Sequence, residues 1–267
     1  VPKVQGVSKG YLRPADGLVQ FNTTDCPGID RGGFNWRGSL YRVMGSRLIK
    51  VSDAGVVTDL GDVGAGGQVK FDPSFTLLGI AASGRLFFLD FSDVLTENTD
   101  PDLGNVIDMI WIDGYFAVTD GTTIAVTELN DPYSVNPLKY GSSEVDPDPI
   151  ESLEKINDEM YAVNRETVEV FTNIGGSFFP FQRVKTAQIQ KGTIGTFACC
   201  VFDDKLAFLG NGRNEAPAVY LGMNSVTQKI STREIDQILA GFTEAELSLV
   251  VLEPRVDKGH LHLYMHL

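Results

Sequence analysis

Gly38-Ser39-Leu40-Tyr41-Arg42-Val43-Met44-Gly45-Ser46-Arg47-Leu48-Ile49-Lys50-Val51 reads as two short strands, each opened by a glycine–serine turn. Apolar and polar residues alternate within each half, the period of a strand with one face buried. The same unit returns along the chain. It runs from Asp113 to Val118 and then from Asp120 to Val126. It runs again from Asn157 to Val163 and on from Asn164 to Phe171, and from Asp203 to Leu209 followed by Gly210-Asn211-Gly212 and Ala218 to Leu221. A weaker copy covers Phe75 to Ile80 and Ser83 to Leu89, and a last one opens at Asp257-Lys258-Gly259. Leu40, Val43, Tyr115, Ala117, Tyr161, Val163, Leu206 and Phe208 are expected in the strand cores.

Aligned on Gly38, Ser74, Gly114, Asp158, Asp204 and Lys258, the units step by 36, 40, 44, 46 and 54 residues. Four-stranded propeller blades repeat at about this interval, because a lone blade cannot bury both faces and its neighbours around an axis do so. The pattern predicts an all-β fold, a degenerate β-propeller of about five to six blades, with residues 1–267 as a single domain. A pair of β-sandwiches is the rival arrangement. The 28 glycines and 12 prolines fit many short strands and turns.

Two stretches depart from the strand pattern. Ser231-Thr232-Arg233-Glu234 and Thr243-Glu244-Ala245-Glu246 have capping-box spacing, and Ile235, Ile238 and Leu239 share a helical face that Gly241 ends. They predict a short helical insert near residues 231–248, between blades. Asn130 to Glu154, with Pro132, Pro137, Pro147 and Pro149, reads as a loop or blade connection whose acidic end could bind a cation but is more simply a solvated loop.

The formal net charge is −13. Gripping DNA phosphates or an anionic membrane needs a basic face, and Arg31, Arg37, Arg42, Arg47 and Lys50 are diluted along alternating strands. An acidic chain suits basic protein partners instead. Cys26, Cys199 and Cys200 form no disulfide framework, and the adjacent pair should place one thiol inward and one outward, as expected in a reducing compartment. Val1 rather than Met at the first position reads as processing or as a piece of a longer subunit.

Catalytic signatures are missing: no Gly-x-Ser-x-Gly, no Walker loop, no His-Glu-x-x-His, no Cys-x-x-Cys. Gly64-Ala65-Gly66-Gly67 lacks the third glycine of a dinucleotide fingerprint, and Asp53-Ala54-Gly55 is better explained as a hairpin turn than as a sialidase box. Neither Trp36 nor Trp111 precedes Asp, so the Trp-Asp repeat signature is absent. Asn22-Thr23-Thr24 is a chance sequon. His260, His262 and His266 share one face of a strand, yet they spread over about 20 Å and cannot all reach one ion. No catalytic, cofactor-binding or metal residues are nominated. A carbohydrate-active or carbohydrate-binding propeller is the alternative class, since acidic residues are plentiful, although no spacing singles out a pair.

Several stretches together carry a resemblance: Gly10-Tyr11-Leu12-Arg13 with Gly17; Tyr41-Arg42-Val43 with Gly45 and Leu48; Gln190-Lys191-Gly192 with Gly195-Thr196, Ala207-Phe208, Ala216-Pro217 and Val219-Tyr220; and Ile235, Ile238, Phe242, Thr243, Glu246 and Leu247. The chain thereby resembles the packaged-DNA stabilisation proteins, or tail hubs, of short-tailed phages. That resemblance implies a structural virion protein of the phage tail without catalytic residues or cofactors, assembled in the bacterial host cytoplasm. It further implies a ring of subunits, hexameric in the virion, beneath the portal and its adaptor. The ring would hold the tail needle, contact the tailspikes and close the DNA channel, with no tight DNA or membrane binding of its own.

Overall fold

The computed structural model describes Cys26, residues 28–257 and residues 259–267. Gly10 to Arg13, Gly17, the Asn22 sequon and Lys258 lie outside them.

Six antiparallel sheets follow one another along the chain. The first holds β1 (Asp30–Trp36), β2 (Ser39–Met44), β3 (Arg47–Val51) and β4 (Val57–Asp62). The second holds β5 (Lys70–Pro73), β6 (Leu78–Ala82), β7 (Arg85–Leu89) and β8 (Leu95–Glu97). The third holds β9 (Asp108–Ile112), β10 (Tyr115–Thr119), β11 (Thr123–Glu128) and β12 (Asp131–Ser142). The fourth holds β13 (Ile150–Ile156), β14 (Glu159–Asn164), β15 (Val168–Asn173) and β16 (Phe181–Ile189). In the fifth, β17 (Gly192–Thr193) and β18 (Cys199–Phe202) both pair with β19 (Lys205–Asn211), followed by β20 (Ala218–Met223) and β21 (Val226–Lys229). The sixth has two strands, β22 (Val251–Asp257) and β23 (His260–His266).

The sheets are joined through their first strands. β1 touches β5, β5 touches β9, β9 touches β13, β13 touches β18 and β18 touches β22. Strands that start each sheet therefore gather about a common axis, and each meander runs outward from it: the propeller arrangement. The core is divided into wedges between neighbouring sheets. Val43, Leu48, Leu78 and Phe87 fill the first; Leu86, Phe88, Met109 and Phe116 the second; Ile110, Ile124, Leu153 and Phe171 the third. Tyr161, Val170, Leu206 and Phe208 fill the fourth, and Leu209, Leu239, Leu247 and Leu252 the fifth. The second to fifth sheets bury both faces because a neighbour covers each side, whereas the first and sixth each have a wedge on one side only.

Three expectations need correction. Residues 130–154 are not a loop: β12 takes up Asp131–Ser142 and β13 starts at Ile150. β12 is the outermost strand of its sheet and slips register twice against β11 near Thr127, so Pro132 and Pro137 sit where a missing N–H costs little. Cys199 and Cys200 do face different wedges, but neither is outward. β18 lies at the axis, covered on both sides, and both thiols are buried. The helical insert consists of α1 (Arg233–Leu239) and α2 (Glu244–Leu247). The capping box forms at Thr243, where Thr243 Oγ1 accepts from Glu246 N and Glu246 Oε2 accepts from Thr243 N at 2.8 Å. It does not form at Ser231, because Thr232 is the N-cap of α1 and makes no side-chain cap bond. Ser231 Oγ instead accepts from Val219 N and donates to Asp236. Leu239 is buried against the fifth wedge, whereas Ile238 faces solvent.

Candidate functional site

The axis carries charge. Three inner strands set an ionisable residue toward the axis: Lys70 in β5, Asp108 at the start of β9 and Glu154 in β13. Lys70 Nζ donates to Glu154 Oε1 at 2.8 Å and lies 3.6 Å from Asp108 Oδ2. Asp108 is fully buried; its Oδ2 accepts from Ser152 Oγ at 2.6 Å and from Leu153 N at 2.8 Å. Burial opposes the charge on Lys70, but Asp108 and Glu154 outweigh it and hold the ammonium above the ordinary lysine range. Burial pushes Glu154 up, and Lys70 offsets this only in part. One cation thus faces two carboxylates, the three groups coming from three different sheets. Beside them, Asp72 Oδ2 accepts from Trp111 N at 2.6 Å, and Lys155 donates to Trp111 O.

These groups are saturated by one another. A catalytic carboxylate has to reach a substrate, and Asp108 has no solvent-facing surface. Burial also pushes Cys200 up to about 12 and Cys199 well above the usual thiol range, the opposite of an activated nucleophile. The sequence search missed the axial cluster. Charged residues beside apolar ones in β5, β9 and β13 are visible in the sequence, but their convergence depends on which strand of each sheet is innermost.

Between the first and sixth sheets lies a cleft of about 590 Å³, bordered by Gly32, Phe34, Lys70, Phe197, Pro254 and His266. Next to it, Arg31 is buried and clasps the Gly64–Gly67 segment. Its Nε donates to Gly67 O at 2.5 Å, its Nη1 to Gly45 O at 2.8 Å and also to Gly64 O, and its Nη2 to Ser83 Oγ at 3.1 Å. The glycine run therefore wraps a guanidinium rather than a phosphate. The other basic residues of the first sheet are also engaged. Arg42 pairs with Asp30, Arg47 with Asp59 and Lys50 with Asp93, while Arg37 stacks over Phe91 at 3.9 Å. No stripe of free basic side chains runs along this sheet.

His260, His262 and His266 share one exposed face of β23, with Tyr264 in the same row. His266 Nε2 lies 3.2 Å from Glu253 Oε2. Among the described residues, no three His, Cys, Asp or Glu side chains converge as metal ligands. The acidic residues of 144–154 are dispersed: Glu144 accepts from Ser142, Asp146 pairs with Arg213, Asp148 caps Glu166 and Thr167, and Glu154 is at the axis. The glycines at 192, 195 and 210 answer to packing. A Cβ on Gly210 would overlap the Gly192 carbonyl, one on Gly192 the Asn164 carbonyl, and one on Gly195 the Ser248 carbonyl. Their identity is set by backbone crossing backbone.

Sheets arranged about an axis whose charged groups engage one another define a β-propeller. The chain belongs to the family described as the bacteriophage P22 Gp10 β-propeller, which matches residues 1–267. It is 28% identical to the tail hub protein gp10 of Salmonella phage P22 over 97% of this chain, and it spans 57% of that relative's length. Two solved structures share the fold alone. PorZ, a type-IX secretion system component of Porphyromonas gingivalis, superposes with a TM-score of 0.52 at 12% identity, over 78% of this chain and 29% of PorZ. The Pan2 WD40 domain of Neurospora crassa gives 0.52 at 12% identity, over 76% and 66% of the two chains.

Proposed function

We propose that the chain is the propeller portion of a phage tail-hub subunit, a structural protein of the virion rather than an enzyme. The observation that carries this reading is the similarity to the P22 tail hub protein along nearly the whole chain. Subunits would form a ring, hexameric in the virion, beneath the portal and its adaptor. The ring would hold the needle, contact the tailspikes and retain packaged DNA by closing the exit channel. Two features support a plug over a grip. The net charge of −13 opposes phosphate binding, and the one cation at the propeller axis, Lys70, is engaged by Asp108 and Glu154 and not free for phosphate. The sugar-processing alternative draws no support from the axial carboxylates, which are committed to Lys70 and to Ser152.

Removing the full-length protein should leave heads that fill and then lose their DNA to nuclease. Adding it back should protect them only when the adaptor ring is present. Heads that stay protected without it would refute the assignment. Tight binding of this chain to free DNA at physiological salt would refute the plug.

A further inference from the structure

The two ends of the propeller differ in chemistry. Each sheet is an antiparallel meander that starts at the axis, so the hairpins joining its first strand to its second, and its third to its fourth, open on the same end. Contacts between sheets confirm that these tips are neighbours: Asn173 Nδ2 donates to Asp113 Oδ2 at 2.9 Å, and the Phe75 and Trp111 rings lie 4.9 Å apart.

This tip end is studded with uncovered apolar side chains. Phe75 is 85% exposed, and Phe91, Leu129, Ile174, Phe178 and Val226 are each more than half exposed. They come from four of the sheets. Clefts of about 310 and 440 Å³ flank the Phe75–Trp111 pair. Turn geometry calls for Gly, Asn or Asp at such tips but never for phenylalanine, so the hairpins do not explain Phe75 or Phe178. Contiguous apolar surface of this kind marks an interaction site.

The charges say what covers it. At the opposite end most acids near the hairpins are matched: Arg47 with Asp59 at 2.9 Å, Arg85 with Glu97 at 3.1 Å, Arg165 with Glu244 at 2.7 Å and Arg213 with Glu166 at 3.1 Å, with Asp120 an exception. The tip end holds the pairs Lys50–Asp93 and Lys205–Asp203, but exposed Asp53, Asp113, Asp131, Asp158 and Asp204 there have no ion-pair partner among the described residues. An apolar surface ringed by unmatched aspartates repels DNA and anionic lipid. Two copies set tip to tip would bring aspartate against aspartate.

We infer that the tip end of the propeller is the docking face for another protein, one whose contact surface sets aliphatic or aromatic side chains among lysines and arginines. The inference rests on the tail-component reading and specifies which end of the subunit faces its partner.

The test is made in the full-length protein in assembled virions. A photo-crosslinking residue is placed at Phe75 or Phe178 on the tip end, or at Thr122 on the opposite end. Phe75 and Phe178 should cross-link to a different protein, at sites flanked by Lys or Arg, at least tenfold more than Thr122 does. The double variant D53K/D158K should lower incorporation at least tenfold while its melting temperature stays unchanged. Cross-links only to DNA, to lipid or to copies of this chain would overturn the inference. So would equal yields from both ends, or normal incorporation of the charge-reversed variant. Virions that contain no copy of the wild-type protein would overturn the tail-component reading, and this inference with it.

Discussion

Lys70 and Glu154 meet at 2.8 Å although they belong to the second and fourth sheets, and Asp108 of the third sheet closes the group. This ion group pins the inner edges of three blades where no loop connects them.

Lys70→Met should therefore strand two buried carboxylates. We expect a loss of about 3–5 kcal/mol in urea unfolding, the usual cost of breaking a buried pair from one side. Lys70→Met combined with Glu154→Gln should recover part of that loss, since one uncompensated charge is removed. A single variant as stable as the parent would mean that the axial charges are not coupled.

Arg31→Lys should cost about 2–4 kcal/mol, because a point ammonium cannot span the carbonyls of Gly45, Gly64 and Gly67 and leaves some of them buried and unpaired. Hydrogen exchange in the Gly64–Gly67 segment should rise with it. An unchanged melting curve would show that the clasp is dispensable.

Stability should fall at both pH extremes through Asp93. Burial acts to raise Asp93, but bonds from Lys50 and Tyr41 outweigh it and hold it below the usual carboxylate value. Its contribution is present above about pH 3.8 and is lost as pH falls through the lower folded value. Lys50, bonded to Asp93, is raised, as is Lys70, so their contributions are present below about 10.5 and disappear as pH rises through the higher folded values. Asp93→Asn should flatten the acid limb while leaving the Lys70 part of the alkaline limb intact. Melting temperatures across pH 3 to 11 check this, and identical profiles for the two proteins would contradict it.

Native protein should expose one reactive thiol. Cys26 is half-buried, whereas Cys199 and Cys200 are enclosed with raised values, so a thiol reagent at pH 8 should label a single site until denaturant releases two more. Rapid labelling of all three sites in the folded state would count against the burial of Cys199 and Cys200.

The hairpins were legible because each is local. Leu40 to Val43 and Leu206 to Phe208 alternate within reach of their own turns, and the period of the repeat follows from them. The axial cluster was not legible, since Lys70 and Glu154 are 84 residues apart and nothing local links them. Pro132 and Pro137 misled for a related reason. Proline argues against a central strand, and only the sheet order shows that β12 is an outer one. At Ser231, the local spacing of a capping box was overruled by competition, because Val219 and Asp236 engage the hydroxyl.

Several tips bend through left-handed backbone: Asp113 at φ 51°, Asn130 at 57°, Asn157 at 55°, Asp204 at 55° and Asn224 at 54°. Asparagine and aspartate serve that conformation about equally, yet only aspartate carries charge. Exchanging one for the other rewrites the electrostatics of the end without moving a strand. The charge of that end is thus set at turn positions, independently of the strands that build the fold.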